Sequence, residues 1–476
     1  MSFHRTFAAA RVRLRIQRLI GAAVALLITG CADRRVPLEV DVWIRRVHVI
    51  DTQTGAIRRD QAIAVRNDTI AAIVSDASVP AGSTARMVDG DGAYAIPGLW
   101  DAHVHLMQGG GDGSVRRAAQ LLSYGITHAR DMGSSLAERD GFIARVQADP
   151  SSAPIVLSAG PMFWAFTLPY GDAQAKMLVE DPSETDRAVD VVADAGVDFV
   201  KVYAGFTPDR LKRLATAATR RGLRVAGHAQ PSASLAEQAG LGLTTVEHLD
   251  ILTLAECSPR ANAYFERVIA ARFSRSGEAV PAIYAAFAEE VDTDACRAGL
   301  RRAADAGLVL TPTLVTAFLP LSDAADLAQR IPEDERESCN LYLRDFEALS
   351  AAQRNVLPAA GRRLMRIVLD AGLPVMAGTD SPALCAAAGA SLVRELALLG
   401  DAGLPPLGVL QAATSTPARV LGRDARLGRL AAGSAAHVLL LRENPLASTA
   451  AFARPVGLYT RGLWRTEAAL VALRRH

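Results

Sequence analysis

Ile96-Pro97-Gly98-Leu99-Trp100-Asp101-Ala102-His103-Val104-His105-Leu106 reads as a short apolar strand carrying two histidines two positions apart. Side chains at i and i+2 of a strand share a face, so His103 and His105 project together, as two imidazoles on one metal must. Nine histidines in 476 residues can produce such a pair by chance, so its meaning depends on the sequence around it. From Ala95 onward, short apolar strands alternate with helical stretches rich in Ala, Arg and Glu. The strand candidates centre on 99–106, 126–130, 155–159, 199–204, 224–228, 244–249, 308–314 and 375–378. Eight such repeats predict a parallel (β/α)8 barrel of the TIM type, an α/β fold, over residues 95–424. The link from the sixth to the seventh strand, 250–307, is long and carries a helical insertion. A further helical stretch, 323–370, precedes the eighth strand.

Outside that region the pattern is β. Strands are expected at 42–44, 47–50, 62–65 and 70–74, broken by Thr-Gly and Asn-Asp turns, and again at 436–441 and 456–460. The expected architecture is one small β-sandwich domain formed by the N- and C-terminal segments, 40–94 and 425–465, with a last helix over 466–476.

Catalytic groups of such a barrel sit at the C-terminal ends of its strands. His103 and His105 end the first expected strand. Lys201 lies on the fourth, in Phe199-Val200-Lys201-Val202-Tyr203. His228 ends the fifth, His248 the sixth, and Asp380 the eighth, in Ala377-Gly378-Thr379-Asp380. Lys201 carries weight because Lys and Arg together number 52, and only Lys176, Lys201 and Lys212 are Lys. Arg does not deprotonate, whereas a buried Lys with a lowered pKa reacts as an amine. With carbon dioxide it gives a carbamate, an anionic oxygen ligand able to bridge two cations. The plainer reading is a Lys paired with a buried carboxylate.

Together these residues resemble the amidohydrolase superfamily, specifically its binuclear members of the imidazolonepropionase-like and Xaa-Pro dipeptidase-like branch. The resemblance covers residues 40–475. It includes Pro97-Gly98-Leu99-Trp100-Asp101, Gly125-Ile126-Thr127 with Arg130-Asp131, Gln411-Ala412-Ala413-Thr414 to Pro417-Ala418-Arg419, and Leu439-Leu440-Leu441 with Glu443-Asn444-Pro445-Leu446. It implies two divalent metal ions, zinc or else Mn, Co or Fe. His103, His105 and Asp380 would hold the more buried ion, His228 and His248 the second, and N6-carboxylated Lys201 would bridge both together with a hydroxide. It further implies hydrolysis of a C–N amide bond, in a dipeptide or N-acyl amino acid, by that hydroxide, with Asp380 as general base and then acid. An esterase, lactonase or carbamate hydrolase would use the same site. A mononuclear deaminase would need no bridging Lys, and a non-catalytic envelope binding protein would show a degraded ligand set.

Four further residues are substrate-binding candidates. Tyr203 shares a face with Lys201 and either hydrogen-bonds substrate or packs. His128 stands where the family usually has Thr and either shapes specificity or is a satisfied barrel histidine. Arg130 is expected to pair with Asp131. Trp164, in the loop Met162-Phe163-Trp164 after the third strand, either lines an apolar subsite or packs. His48, His437 and His476 fall outside the barrel strands, and His437 stands where the family usually has Asp.

The N-terminus reads as a lipoprotein signal peptide over residues 1–30. Arg5, Arg11, Arg13, Arg15 and Arg18 precede an apolar run from Leu19 to Thr29, too short to span a bilayer. Leu27-Ile28-Thr29-Gly30-Cys31 resembles a bacterial lipobox, which implies lipidation at Cys31, a tether over 31–39, and a lipid-anchored protein on the periplasmic face of the outer membrane. Removing the leader removes five Arg and no acid, taking the formal charge from +2 to −3. No basic patch for nucleic acid is implied, and the expected partners are a small-molecule substrate and the membrane. An oxidising compartment permits disulfides among Cys257, Cys296, Cys339 and Cys385, with connectivity left open. No CxxC or CxxxC spacing points to a zinc-binding Cys set.

Overall fold

A computed structural model describes residues 39–166, 173–273, 278–347 and 349–475 of the chain. The leader, Cys31 and His476 lie outside the described residues.

Both ends of the chain meet in one eight-stranded sheet. Strands Val42–Ile50, Ile57–Arg66 and Thr69–Ser75 form a meander, because apolar residues face one side and Asn67-Asp68, both at positive φ, supply a tight turn. Val42–Ile50 is one strand rather than two, with a register shift between Ile44 and Val47 where Arg46 adopts φ 53°. Tyr94–Pro97 pairs in parallel with it on one side and antiparallel with Val438–Leu441 on the other. Pro455–Thr460 and Leu463–Thr466 extend that side, and the eighth strand, Arg86–Asp89, pairs in parallel with Val42–Ile50. The termini thus share a sheet, as expected, but as a single sheet rather than two facing ones. Its inner face buries Ile44, Val47, Ile63, Val65, Val438 and Leu440.

The central strands are parallel. Leu99–Val104, Ile126–Asp131 and Ile155–Ser158 form one sheet. Met162–Trp164, Phe199–Ala204, Arg224–His228, Leu243–Glu247 and Val309–Thr311 form another, with Lys176–Leu178 at its edge. A single ring of eight continuously paired strands is not formed. The expected eighth strand is an extended segment, 374–381, stitched to both neighbours by isolated bonds. Met376 N donates to Leu310 O, Ala102 N to Ala377 O, and Asp380 N to His103 O. Pro374 and the close approach at Gly378 explain the broken ladder: a Cβ on Gly378 would stand 2.5 Å from Thr311 Cγ2 and 2.8 Å from His103 N.

Met162–Trp164 is a strand, not a loop; it pairs with Val202 and Ala204. The long link after the sixth strand holds helices Ala261–Phe273, Val280–Glu290 and Thr293–Asp305, and the later insertion holds Leu321–Ala328, Glu337–Glu347 and Ala351–Asp370. Disulfides join Cys257 to Cys296 and Cys339 to Cys385. No helix among the described residues is long and apolar enough to cross a membrane.

Candidate metal centre

The parallel strands deliver their polar residues to one place. His103 Nε2 and His105 Nε2 each stand 3.2 Å from Asp380 Oδ1. His228 Nε2 and His248 Nε2 face each other at 3.1 Å. His248 links the two groups, since its ring is 4.7 Å from that of His103 and the ligand atoms of His103, His248 and Asp380 all lie within 4.8 Å of one another. The expected division, with His248 and His228 set apart from His103, is therefore less sharp than one cluster centred on His103, His248 and Asp380.

Local backbone explains the aim of these side chains. His248 and Asp380 have φ of 70° and 59°, turning each out of its strand at the point where its side chain must enter the site. Residues other than Gly rarely sit there, and those that do gather at functional sites, His and Asp being among the more tolerant. Gly227 lets its strand approach the preceding one, Phe199–Ala204, since a Cβ would meet Val202 O at 2.1 Å. His228 follows directly.

The outer nitrogen of each ring shows how it is held. His103 Nδ1 is 2.9 Å from Glu247 Oε2, His105 Nδ1 is 3.2 Å from Gly133 O, and His248 Nδ1 is 2.8 Å from Thr313 Oγ1. Burial, reinforced by the charge of Lys201, keeps His228 well below its ordinary pKa, and burial takes His248 to about 3. Both are neutral at neutral pH, with lone pairs free for a cation. Burial opposes ionisation of Asp380, but His103 and His105, each 3.2 Å from its Oδ1, outweigh it and hold the carboxyl well below its usual range.

Lys201 is 1% exposed, its Nζ has no hydrogen-bond partner, and burial pushes the amine down to about 8. The plainer alternative, a Lys paired with a buried carboxylate, is not what the side chain shows. His103 Nε2 is likewise buried without a hydrogen bond. Two orphaned polar atoms beside four imidazoles and a carboxylate fit divalent cations. Donors about 2.0–2.1 Å from a shared tetrahedral ion stand about 3.3 Å apart, near the 3.2 Å spacings found here.

Tyr203 and Trp164 join this cluster's rim. The Trp164 and Tyr203 rings stack at 4.1 Å, Tyr203 lies 4.2 Å from the His228 ring, and Lys176 Nζ sits 4.8 Å over Trp164. His128 and Arg130 do not reach it. His128 is buried at the other end of its strand, stacked on Trp100 at 4.5 Å and edge-on to His437 at 4.7 Å. His437 is thus a packed residue, bonded to Thr460 Oγ1 at 2.7 Å. Arg130 pairs not with Asp131 but with Glu247, at 2.7 and 2.8 Å, because Asp131 is next in the strand and points to the opposite face, where it accepts from Met107 N.

Sequence reasoning passed over Glu247, Thr313 and Asp101. Asp101 accepts from Thr379 N at 3.0 Å and Thr379 Oγ1 at 2.7 Å, which ties the His103 strand to the Asp380 segment. A buried carboxylate ending a strand directly before a candidate ligand, as Glu247 does before His248, is the signal that could have found one of them.

The sequence matches the amidohydrolase family over residues 94–462. A deacetylase of Agrobacterium fabrum is 30% identical over 109 residues, which is 23% of this chain and 26% of that protein. An imidazolonepropionase of Ralstonia nicotianae is 51% identical over 53 residues, 11% of this chain and 13% of that protein. The chain thus aligns with about a quarter or less of the length of these curated relatives. Among solved structures, a bottromycin amidohydrolase superposes with a TM-score of 0.66 at 24% identity, covering 90% of this chain and 88% of that one. A prolidase complexed with N-methylphosphonate-L-proline gives 0.64 at 18% identity, covering 89% and 99%. At such identities the likeness shows the fold.

Proposed function

The chain belongs to the amidohydrolase family, and on that premise we propose that it is a metal-dependent hydrolase of a C–N amide bond, in a dipeptide or N-acyl amino acid. The observation that carries this reading is the buried amine of Lys201, without a hydrogen-bond partner, whose charge bears on His228, His248 and Asp380, where His103 and His105 also converge. We read the parallel strands of 95–424 as a (β/α)8 barrel with the terminal strands as a companion β domain. Two divalent ions held by these six residues would supply Lewis acidity to a water and to the substrate carbonyl.

The chain's own groups do the rest. Lys201 sheds its proton near neutral pH, and its Nζ then bonds the carbon of carbon dioxide, giving a carbamate and releasing one proton. His228 and His248 stay neutral, and all four rings keep their ligand nitrogens turned inward. Asp380 takes a proton from the attacking water and delivers it to the leaving nitrogen. The stacked pair Trp164 and Tyr203 walls the site beside His228 and orients an apolar portion of the substrate. Residues 1–30 serve as an export signal and Cys31 as a lipid anchor; the pairing of all four other cysteines supports an oxidising compartment.

The test is a panel of dipeptides, N-acyl amino acids, esters, lactones and carbamates offered to the purified mature chain. Preferred turnover of amides, lost in Asp380→Ala, supports the reading. Turnover of esters alone moves the chain to the esterase reading, and full activity of folded Asp380→Ala overturns the mechanism.

A further inference from the structure

Behind the cluster lies a charged group that no step above uses. Glu247 is fully buried. Its Oε2 is 2.9 Å from His103 Nδ1, and Arg130 Nη2 donates to both its oxygens at 2.7 and 2.8 Å. Thr245 Oγ1 donates to Oε1 at 2.6 Å. Arg130 in turn donates to Ala102 O at 2.6 Å and Thr245 Oγ1 at 2.9 Å, so the pair is pinned across three strands. An ionised carboxylate only accepts, so His103 must carry its proton on Nδ1 and present a bare Nε2 to the site. Among the described residues, His103 is the one member of the four histidines with a carboxylate behind its outer nitrogen. His105 is backed by the Gly133 carbonyl and His248 by the Thr313 hydroxyl.

We propose that Glu247, held by Arg130, is a positioning residue that makes the cation contacting His103 the more tightly bound of two. A carboxylate behind an imidazole fixes the tautomer and the ring orientation and makes the ligand nitrogen more basic, whereas a carbonyl or hydroxyl does less. The two ions therefore differ in affinity because the residues behind their ligands differ. This inference rests on the two-cation reading.

Zinc titration of the apoprotein against a competing chelator tests it without any substrate. The wild type shows two affinities. Glu247→Gln keeps an oxygen acceptor but loses the charge, and it weakens the tighter site by about 10- to 100-fold while the weaker site changes by less than about twofold. If the unpaired Arg130 prevents folding, the Arg130→Met/Glu247→Gln double variant replaces the buried ion pair with neutral side chains and gives the same split. Two sites that weaken in step, or a tighter site left unchanged in a folded variant, overturn the inference while the two-cation reading stands. A wild type that takes up no zinc overturns both.

Discussion

His248 Nδ1 meets Thr313 Oγ1 at 2.8 Å, and both residues hold left-handed backbone, at φ 70° and 46°. The contact joins the end of the strand Leu243–Glu247 to the start of the short helix Leu314–Ala317, across the strand Val309–Thr311. Two strained residues brace each other through one hydrogen bond. Thr313→Val keeps shape and removes the hydroxyl, so His248 loses its orientation. Activity should fall by about 10- to 100-fold, with no more than a few degrees' change in the apoprotein's melting temperature. Equal activity in wild type and variant would show that the hydroxyl does not orient the ring.

Lys201 gives a pH signature. In the apoprotein burial pushes its amine down to about 8 from the ordinary 10.5. The unfolded chain therefore holds more protons between those values, so stability rises with pH through that window and is flat below it. Lys201→Met removes this rise. Chemical denaturation at pH 7 to 10.5 in carbonate-free buffer measures it, and an identical profile for both proteins contradicts the buried, unpaired amine.

Glu395 behaves in the opposite sense. It is fully buried on the helix Ala390–Asp401, its Oε2 accepts from Val315 N at 3.0 Å, and its Oε1 has no partner. Burial raises its carboxyl to about 8 from 4.5. Its contribution is complete below the unfolded pKa and is lost as pH rises toward 8. Glu395→Gln mimics the neutral form, so its stability relative to wild type should grow between about pH 4.5 and 8 and then level off. A constant difference across that range argues against a neutral Glu395.

Each disulfide fixes a loop that follows a site residue. Cys257 lies nine residues beyond His248, and Cys385 five beyond Asp380; their partners sit on the inserted helices Thr293–Asp305 and Glu337–Glu347. Cys339→Ala/Cys385→Ala should cost about 2–4 kcal/mol of stability. It should also lower activity more than it lowers the occupancy of cations, because the loop rather than the ligand is freed. Activity that follows occupancy alone would deny the loop a role.

The sequence made the ligand strands readable because strand parity and position are local properties. His103, His105, His228, His248 and Asp380 each end an apolar run, and the glycines before His228 and Asp380 mark close backbone approaches. What stayed hidden is non-local. Arg130 has an acid beside it in the chain, yet its partner Glu247 is 117 residues away on another strand. The disulfide connectivity and the bracing of His248 by Thr313 have the same character. Met162–Trp164 is too short to show alternation, and only its pairing with Val202 and Ala204 makes it a strand. His128 shares strand parity with Arg130 but lies at the end where His437 of the terminal sheet docks, which no pattern within its own strand encodes.

The central claim is that one buried cluster, Lys201 included, holds two cations. Metal analysis of the purified mature chain, expressed with zinc supplied, tests it most directly. We expect two divalent ions per folded wild-type chain and fewer than two in folded Lys201→Ala. A wild-type content of one ion or none, or two ions retained in Lys201→Ala, would contradict it.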